Sequence, residues 1–281
     1  MNNNVLYINK PKGISSFDIC YKLRKVLNTK KIGHTGTLDP NATGVMVILY
    51  NEATKAAQFL VSDKKEYKAR VLFGIKTDTL DIDGNVIEKS EYKVPDATEI
   101  EMVLSSFKGM SKQEVPITSA KKINGKKLYE YQLKNQEVEL PIIDINVYDI
   151  HLDNIYDDGF SFTCLVSAGT YVRALARDIL AKLNQIGTLS DLCRTSIDDI
   201  NIDECDKLED VLDGKYINHS LLDVLSKRYK TYEVINVEDI KNGKRIKIDS
   251  DEKYLLLISN GELLAMYVKD GSEYRSARGL W

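Results

Sequence analysis

The segment from Gly33 to Gly44, GHTGTLDPNATG, constrains the fold of this chain more than any other stretch. It holds three glycines, a proline, an asparagine and three threonines in twelve residues, a composition typical of an ordered loop. Helical sequence precedes it, and the apolar run from Val45 to Tyr50 predicts a buried strand after it. One carboxylate, Asp39, lies in its middle. Such a loop can hold an acid against a ligand, and it can equally be a structural turn, because Asp-Pro favours turn initiation.

Length and composition indicate a soluble protein with one large domain or two unequal ones. The chain has 281 residues, of which 43% are apolar and 29% charged. No apolar run approaches the roughly 20 residues of a membrane span, and the N-terminus lacks the features of a signal peptide. We therefore expect a cytoplasmic protein with no membrane partner. The four scattered cysteines lack metal-ligand spacing and are expected to be reduced thiols.

Charge is distributed unevenly along the chain. The net charge is −3, yet residues 1–76 carry 13 Lys and Arg against 5 Asp and Glu, a balance of +8. Residues 146–225 carry 6 against 15, a balance of −9. A basic N-terminal third can attract a polyanion while the whole molecule stays mildly acidic. The alternative is that the lysine-rich faces are simply solvated.

The periodicity along the chain predicts alternating strands and helices. Apolar runs or strict alternation predict strands over 5–10, 45–50, 65–73, 141–150 and 160–167, and Tyr67 falls on the apolar face of the third. Helical spacing predicts helices that begin near residues 16, 53, 97 and 170, the last with Thr170 as N-cap. Residues 108–135 are expected to be irregular and rich in lysine.

Two charged features need an explanation. The stretch from Thr77 to Gly84 has three alternate carboxylates, which suggest calcium, but the EF-hand pattern with its terminal Glu is absent and we expect no metal. Arg173 falls in the first turn of a helix, where the helix dipole disfavours a cation. An ion pair with a carboxylate would offset that cost.

Composition shifts near residue 226. Short apolar stretches then alternate with Asn-Gly or Asp-Gly turns at 242–243, 260–261 and 270–271, a strong hairpin signal. We predict two domains, residues 1–225 and a small β-rich domain over 226–281.

Four blocks of this sequence, read together, resemble a known family. They are KPKGISS from Lys10, the Gly33–Gly44 loop, TDTLDIDG from Thr77 and SAGTYVR from Ser167. Their order and spacing are similar to the signature blocks of the TruB family of tRNA pseudouridine-55 synthases. The resemblance covers residues 5 to about 200, and the C-terminal part is more loosely similar to the PUA-like RNA-binding domain of bacterial members.

The resemblance implies an α+β fold with a mixed, mostly antiparallel central sheet, flanking helices and an active cleft across the sheet. It implies that the T-loop uridine at position 55 of tRNA is flipped out and isomerised to pseudouridine. Asp39 would be the nucleophile. Tyr67 would stack on the target base and take part in proton transfer, and Arg173 would pair with Asp39.

Five further residues acquire substrate-binding roles from the same resemblance. His34 would hold the RNA loop opened by base extrusion, and Leu192 would line the pocket. Asp81 matches a family position that supports the active site, and Lys10 with Pro11 would brace the glycine loop. The family usually carries arginines in the segment that here reads GKKLYEYQL from Gly125, so Lys127 keeps the charge without the bidentate fork.

The chemistry implied needs no cofactor. Isomerisation of uridine breaks an N-glycosidic bond and makes a C-glycosidic one with no net redox change, and the sequence lacks GxGxxG, GxxxxGK[ST] and HExxH. The expected partner is the T-arm of tRNA, bound by a monomer without a guide RNA. Two alternatives stay open: an RNA-folding protein in which catalysis is secondary, and a guide-RNA-dependent relative.

Overall fold

The computed structural model describes residues 3–134 and 136–281. In these residues the helices are α1 (Ser16–Val26), α2 (Ala97–Ser105), α3 (Leu128–Leu133), α4 (Val172–Lys182), α5 (Leu208–Leu212), α6 (Leu221–Ser226) and α7 (Val237–Lys241). Asn51–Phe59 and Ile202–Glu204 are 3-10 helices. Within the described ranges, no helix combines the length and the apolar character needed to cross a bilayer.

The strands of the same ranges are β1 (Asn3–Lys10), β2 (Ile32–His34), β3 (Thr43–Tyr50), β4 (Lys64–Phe73), β5 (Ile75–Thr77), β6 (Val86–Lys89), β7 (Gly109–Glu114), β8 (Lys122–Ile123), β9 (Lys126–Lys127), β10 (Ile142–Tyr156), β11 (Gly159–Ser167), β12 (Gly187–Ile197), β13 (Ile200–Asn201), β14 (Asp206–Lys207), β15 (His219–Ser220), β16 (Thr231–Glu233), β17 (Tyr254–Ser259), β18 (Glu262–Asp270) and β19 (Glu273–Gly279).

The described chain divides into two compact units. The first unit comprises the residues up to Pro40, residues 45–61 and residues 203–281, and the second comprises residues 41–44 and 62–202. The glycine loop therefore passes from the first unit to the second after Pro40. The predicted domains, 1–225 and 226–281, stay a prediction.

The second unit is built on an antiparallel sheet in the order β12-β4-β11-β10-β7. Thr43 and Gly44 add a short parallel pairing to β12, opposite Cys193 and Arg194. Helix α4 packs against β12, and α2 packs against β10. The alternation predicted for β4 is confirmed, since Tyr67 and the apolar residues at 69, 71 and 73 are buried.

The first unit contains two sheets. In one, β1 pairs in parallel with β14 and antiparallel with β15, and β3 pairs antiparallel with β2. Helix α1 closes its core with Ile19, Cys20 and Leu23. The other sheet has the order β16-β17-β18-β19 and a core of its own around Leu257 and Tyr267. Mixed, mostly antiparallel sheets with flanking helices and a C-terminal β sheet confirm the predicted α+β class.

Two local predictions were wrong. Residues 108–135, predicted to be irregular, contain β7 and α3. The sequence did not indicate β7 because it is an edge strand with five of its six residues exposed, so it lacks an apolar pattern. Residues 51–59 form a helix, as predicted, and it is of the 3-10 type. The N-cap of α4 is Tyr171 instead of Thr170, because Gln113 of β7 holds both polar groups of the Tyr171 backbone: its Oε1 accepts from the N–H at 2.8 Å and its Nε2 donates to the carbonyl at 3.1 Å.

Candidate active site

The backbone on both sides of Asp39 is tied to the start of the first unit. The Ser16 hydroxyl accepts from the Leu38 N–H at 2.9 Å and donates to the Leu38 carbonyl at 3.0 Å. The Pro40 carbonyl accepts from the Gly13 N–H at 2.9 Å. Asp39 itself is partly exposed. The backbone that carries this partly exposed carboxylate is therefore fixed on both sides before any ligand arrives.

Lys10 supplies the third anchor of this loop. Its side chain is fully buried at the end of β1, and its ammonium donates to the carbonyls of Pro40 at 2.8 Å and Pro11 at 3.0 Å. A buried ammonium is costly unless its donors are bonded, so these carbonyls fix its position. Lys10 and Pro11 thus lie against the backbone that carries Asp39.

His34 lies at the entrance of the same loop. It ends β2, which pairs antiparallel with β3 and sets His34 opposite Ile48. The Thr35 N–H extends this pairing to the Val47 carbonyl at 3.2 Å. Both ends of the predicted loop are therefore strand residues, and the half-buried His34 lies on the β2–β3 pair, which holds it rigidly.

In the second unit, Tyr67 lies in the middle of the sheet. It is buried on β4, directly opposite Arg194 of β12. Leu192 stands two residues along β12, opposite Ala69, and therefore projects from the same face as Tyr67 and Arg194. The structure brings together Tyr67 and Leu192, the residues predicted to stack on the base and to line its pocket.

Arg194 was missed as a site residue by the sequence reasoning. Its side chain is completely buried, and an arginine is almost never fully buried unless it is paired. Arg194 also affects a neighbouring lysine. Burial of Lys65 is the main cause that lowers its pKa to about 8, and the positive charge of Arg194 adds to this effect, while the charge of Asp198 acts in the opposite direction. The available signal was the two-residue spacing of Leu192 and Arg194, which in a strand puts both side chains on one face.

Arg173 is enclosed by oxygen acceptors of the second unit. It lies in the first turn of α4 and is 5% exposed. Its Nη1 donates to the Thr79 carbonyl at 2.9 Å and to the Thr118 hydroxyl at 2.6 Å, and its Nη2 donates to the Thr118 carbonyl at 3.2 Å. Its Nε lies 3.7 Å from Oδ2 of Asp81. The predicted partner Asp39 belongs to the other unit, and that pairing stays a prediction.

Asp78 and Asp81 of the acidic turn accept hydrogen bonds from residues close to them in sequence. Asp81 Oδ1 accepts from the Thr79 hydroxyl at 2.6 Å and from the Asp83 N–H at 3.2 Å. Asp78 accepts from the backbone and the side chain of Asn85 at 2.9 and 3.1 Å. The Asn41 side chain donates to Asp83. These bonds shape the segment that places Asp81 beside Arg173.

A basic and aromatic segment follows β8. The Lys127 ammonium lies 5.3 Å from the ring centre of Tyr129, and the Lys126 ammonium lies 5.8 Å from that of Tyr131. Lys126 and Tyr129 are exposed. Exposed cations beside rings suit contacts with phosphates and bases.

Comparison with known proteins identifies the family to which this chain belongs. Residues 24–172, more than half of the chain, match the model of the TruB family pseudouridylate synthase N-terminal domain. The chain belongs to the TruB family of pseudouridylate synthases, which confirms the resemblance drawn from the four sequence blocks.

Curated relatives carry a more specific name, tRNA pseudouridine synthase B. The protein of that name from Lactobacillus acidophilus is 35% identical, with 98% of this chain and 97% of the relative covered. The one from Bacillus cytotoxicus is 39% identical, with 94% and 91% covered. A chain from the crystal structure of a Cbf5-Nop10-Gar1 complex is similar with a TM-score of 0.74 at 21% identity, covering 99% of this chain and 85% of that chain. At that identity the likeness shows the fold alone.

Proposed function

We propose that this chain isomerises the T-loop uridine at position 55 of tRNA to pseudouridine, with Asp39 as nucleophile. The observation that carries the proposal is the fixed backbone around Asp39, held at Leu38 by Ser16 and at Pro40 by Lys10 and Gly13. A carboxylate attacks well only when it is positioned, because preorganisation removes the entropy of finding the reacting atom. The protein acts as a cytoplasmic monomer on naked tRNA, with no guide RNA and no cofactor.

The reaction moves the ribose bond of one base from N1 to C5. Asp39 supports cleavage of the C1′–N1 bond, and the base turns until C5 bonds to C1′. C5 then loses its proton to solvent and N1 takes up a proton, so the product is an isomer of the substrate. The uridine must first leave the stack, which costs a few kcal/mol. Tyr67 offsets part of that cost by stacking on the base, and Leu192 covers the pocket from the same sheet face. His34 occupies the RNA loop that the base has left.

Arg173 pairs with Asp39 and orients its carboxylate. The contacts of Arg173 with Asp81, Thr79 and Thr118 hold its guanidinium in one plane, so Asp81 acts as a positioning residue.

The decisive experiment measures release of C5 tritium from unmodified tRNA labelled in uridine. We expect release by the wild type at the T-loop uridine and none by Asp39→Asn, which keeps the shape of the side chain without its nucleophilic charge. Naked transcript is the substrate, so activity without guide RNA is tested in the same assay. No release by a folded wild type that binds tRNA would refute the proposal and leave the RNA-folding alternative.

A second experiment tests the arginine. Arg173→Ala should lower the single-turnover rate by at least about 100-fold, as removal of one preorganised electrostatic contact does, while tRNA affinity changes little. Arg177→Ala is the matched control, because Arg177 lies one turn later in α4 and pairs with Asp178 at 2.8 Å and Glu114 at 3.1 Å. Equal losses of rate and affinity in Arg173→Ala would contradict the ion-pair role.

A further inference from the structure

Helix α1 presents two aromatic rings to solvent. Phe17 is 66% exposed and Tyr21 is 62% exposed, and their spacing of four residues makes them neighbours on one face. The opposite face is buried through Ser16, Ile19 and Leu23. Both rings therefore lie on the solvent side of a helix whose other side is packed in the core. They contribute little to the packing of the unit.

Cations accompany these rings. The Arg24 guanidinium lies 5.4 Å from the ring centre of Tyr21, and Lys22 and Lys25 are exposed beside it. From residue 17 to residue 38 the chain has five Lys and Arg against a single acidic residue, Asp18. A face with two rings and several cations complements a polyanion that also has flat groups to stack.

The same helix is joined to the loop that carries Asp39. Ser16, the residue before Phe17, exchanges two hydrogen bonds with the backbone of Leu38. At about 1.5 Å per residue, the stripe from Phe17 to Lys25 extends roughly 12 Å along the helix. An RNA whose uridine reaches Asp39 has its neighbouring nucleotides within range of this stripe.

We infer that the Phe17–Tyr21 face of α1 binds the substrate RNA, with the two rings stacking on unpaired bases and Lys22, Arg24 and Lys25 contacting phosphates. The inference rests on the proposed function for the identity of the RNA. It adds a contact surface that acts on affinity and leaves the chemical step to the loop and the sheet.

The test measures binding of an unmodified tRNA transcript to protein that carries Asp39→Asn, so that no turnover interferes. The added pair Phe17→Ala and Tyr21→Ala should raise the Kd by at least about 5-fold, the lower end of the range for removal of a single stacking ring. The pair Phe17→Tyr and Tyr21→Phe keeps both rings and should bind like the parent. Met102→Ala is the control, since Met102 is a 64% exposed apolar residue on α2.

Chemistry is read separately in protein with Asp39 intact, where the alanine pair should leave the single-turnover rate at saturating enzyme unchanged. A Kd within twofold of the parent would overturn the inference. Parent-like binding by the pair Phe17→Leu and Tyr21→Leu would also overturn it, because an apolar contact would then replace base stacking. If the intact protein makes no pseudouridine, the proposed function fails, while the Kd values still decide whether this face binds RNA.

Discussion

Asp81→Asn isolates the ionic part of the contact with Arg173. The amide oxygen can keep the bonds that Asp81 Oδ1 accepts from Thr79 and from the Asp83 N–H, so the turn retains its shape. What changes is the atom facing the guanidinium, where a charged oxygen at 3.7 Å becomes an NH₂ group. The substitution therefore removes a charge with little change in packing.

The expected magnitude follows from that distance. Two unit charges 3.7 Å apart interact by about 4.5 kcal/mol at an effective dielectric constant of 20, which is an upper limit because both groups lose hydration on folding. Asp81 keeps a partly exposed side chain, with 17% of its surface accessible, which screens the pair further. We expect a coupling of about 2 kcal/mol between Asp81 and Arg173.

Urea unfolding of the wild type, Asp81→Asn, Arg173→Met and the double variant measures this coupling as a double-mutant cycle. Asp78→Asn is the control, since Asp78 lies in the same turn and bonds to Asn85. Asp81→Asn should also lower the single-turnover rate without changing tRNA affinity, as expected of a positioning residue. A coupling below about 0.5 kcal/mol, or an equal loss in the control, would refute the reasoning.

Three further outcomes are expected. Gly44→Ala should destabilise the fold far more than Gly169→Ala. Both glycines have positive φ, but only at Gly44 would a Cβ collide with the Arg194 carbonyl. Thermal unfolding of the two variants tests this, and equal losses of stability would contradict the collision. The pKa of Lys65 is lowered from 10.5 to about 8, so between these pH values the unfolded chain binds more protons than the folded protein. The free energy of unfolding, measured by urea titration, should therefore rise with pH across that window, and Lys65→Met should flatten the rise. Burial raises the pKa of the Cys20 thiol to about 11, so iodoacetamide should react with it at pH 8 only after unfolding.

Local pattern was enough to predict the parts of the site that depend on one element. Alternation along β4 placed Tyr67 on the buried face, and the composition of the glycine loop marked the support of Asp39. Both signals come from residues close in sequence, where side-chain direction follows from the period of the element.

Long-range partners left no such signal. Gln113, which binds the start of α4, is 58 residues from Tyr171 in the sequence. It lies on β7, whose residues do not alternate between apolar and polar. The burial of Arg194 likewise depends on which strands flank β12. The assembly of the first unit from three separate stretches depends on tertiary packing, which periodicity does not encode.

The environment of Arg173 combines a feature predictable from local sequence with contacts that only the tertiary structure provides. The sequence placed a cation at the positive end of a helix dipole and therefore required an offsetting acceptor. The contacts of Arg173 include the carboxylate of Asp81 and neutral oxygens of Thr79 and Thr118. Neutral oxygens fix the plane of a guanidinium but do not cancel its charge. These contacts therefore orient the cation more than they neutralise it, which suits a residue whose proposed task is to act on a second carboxylate.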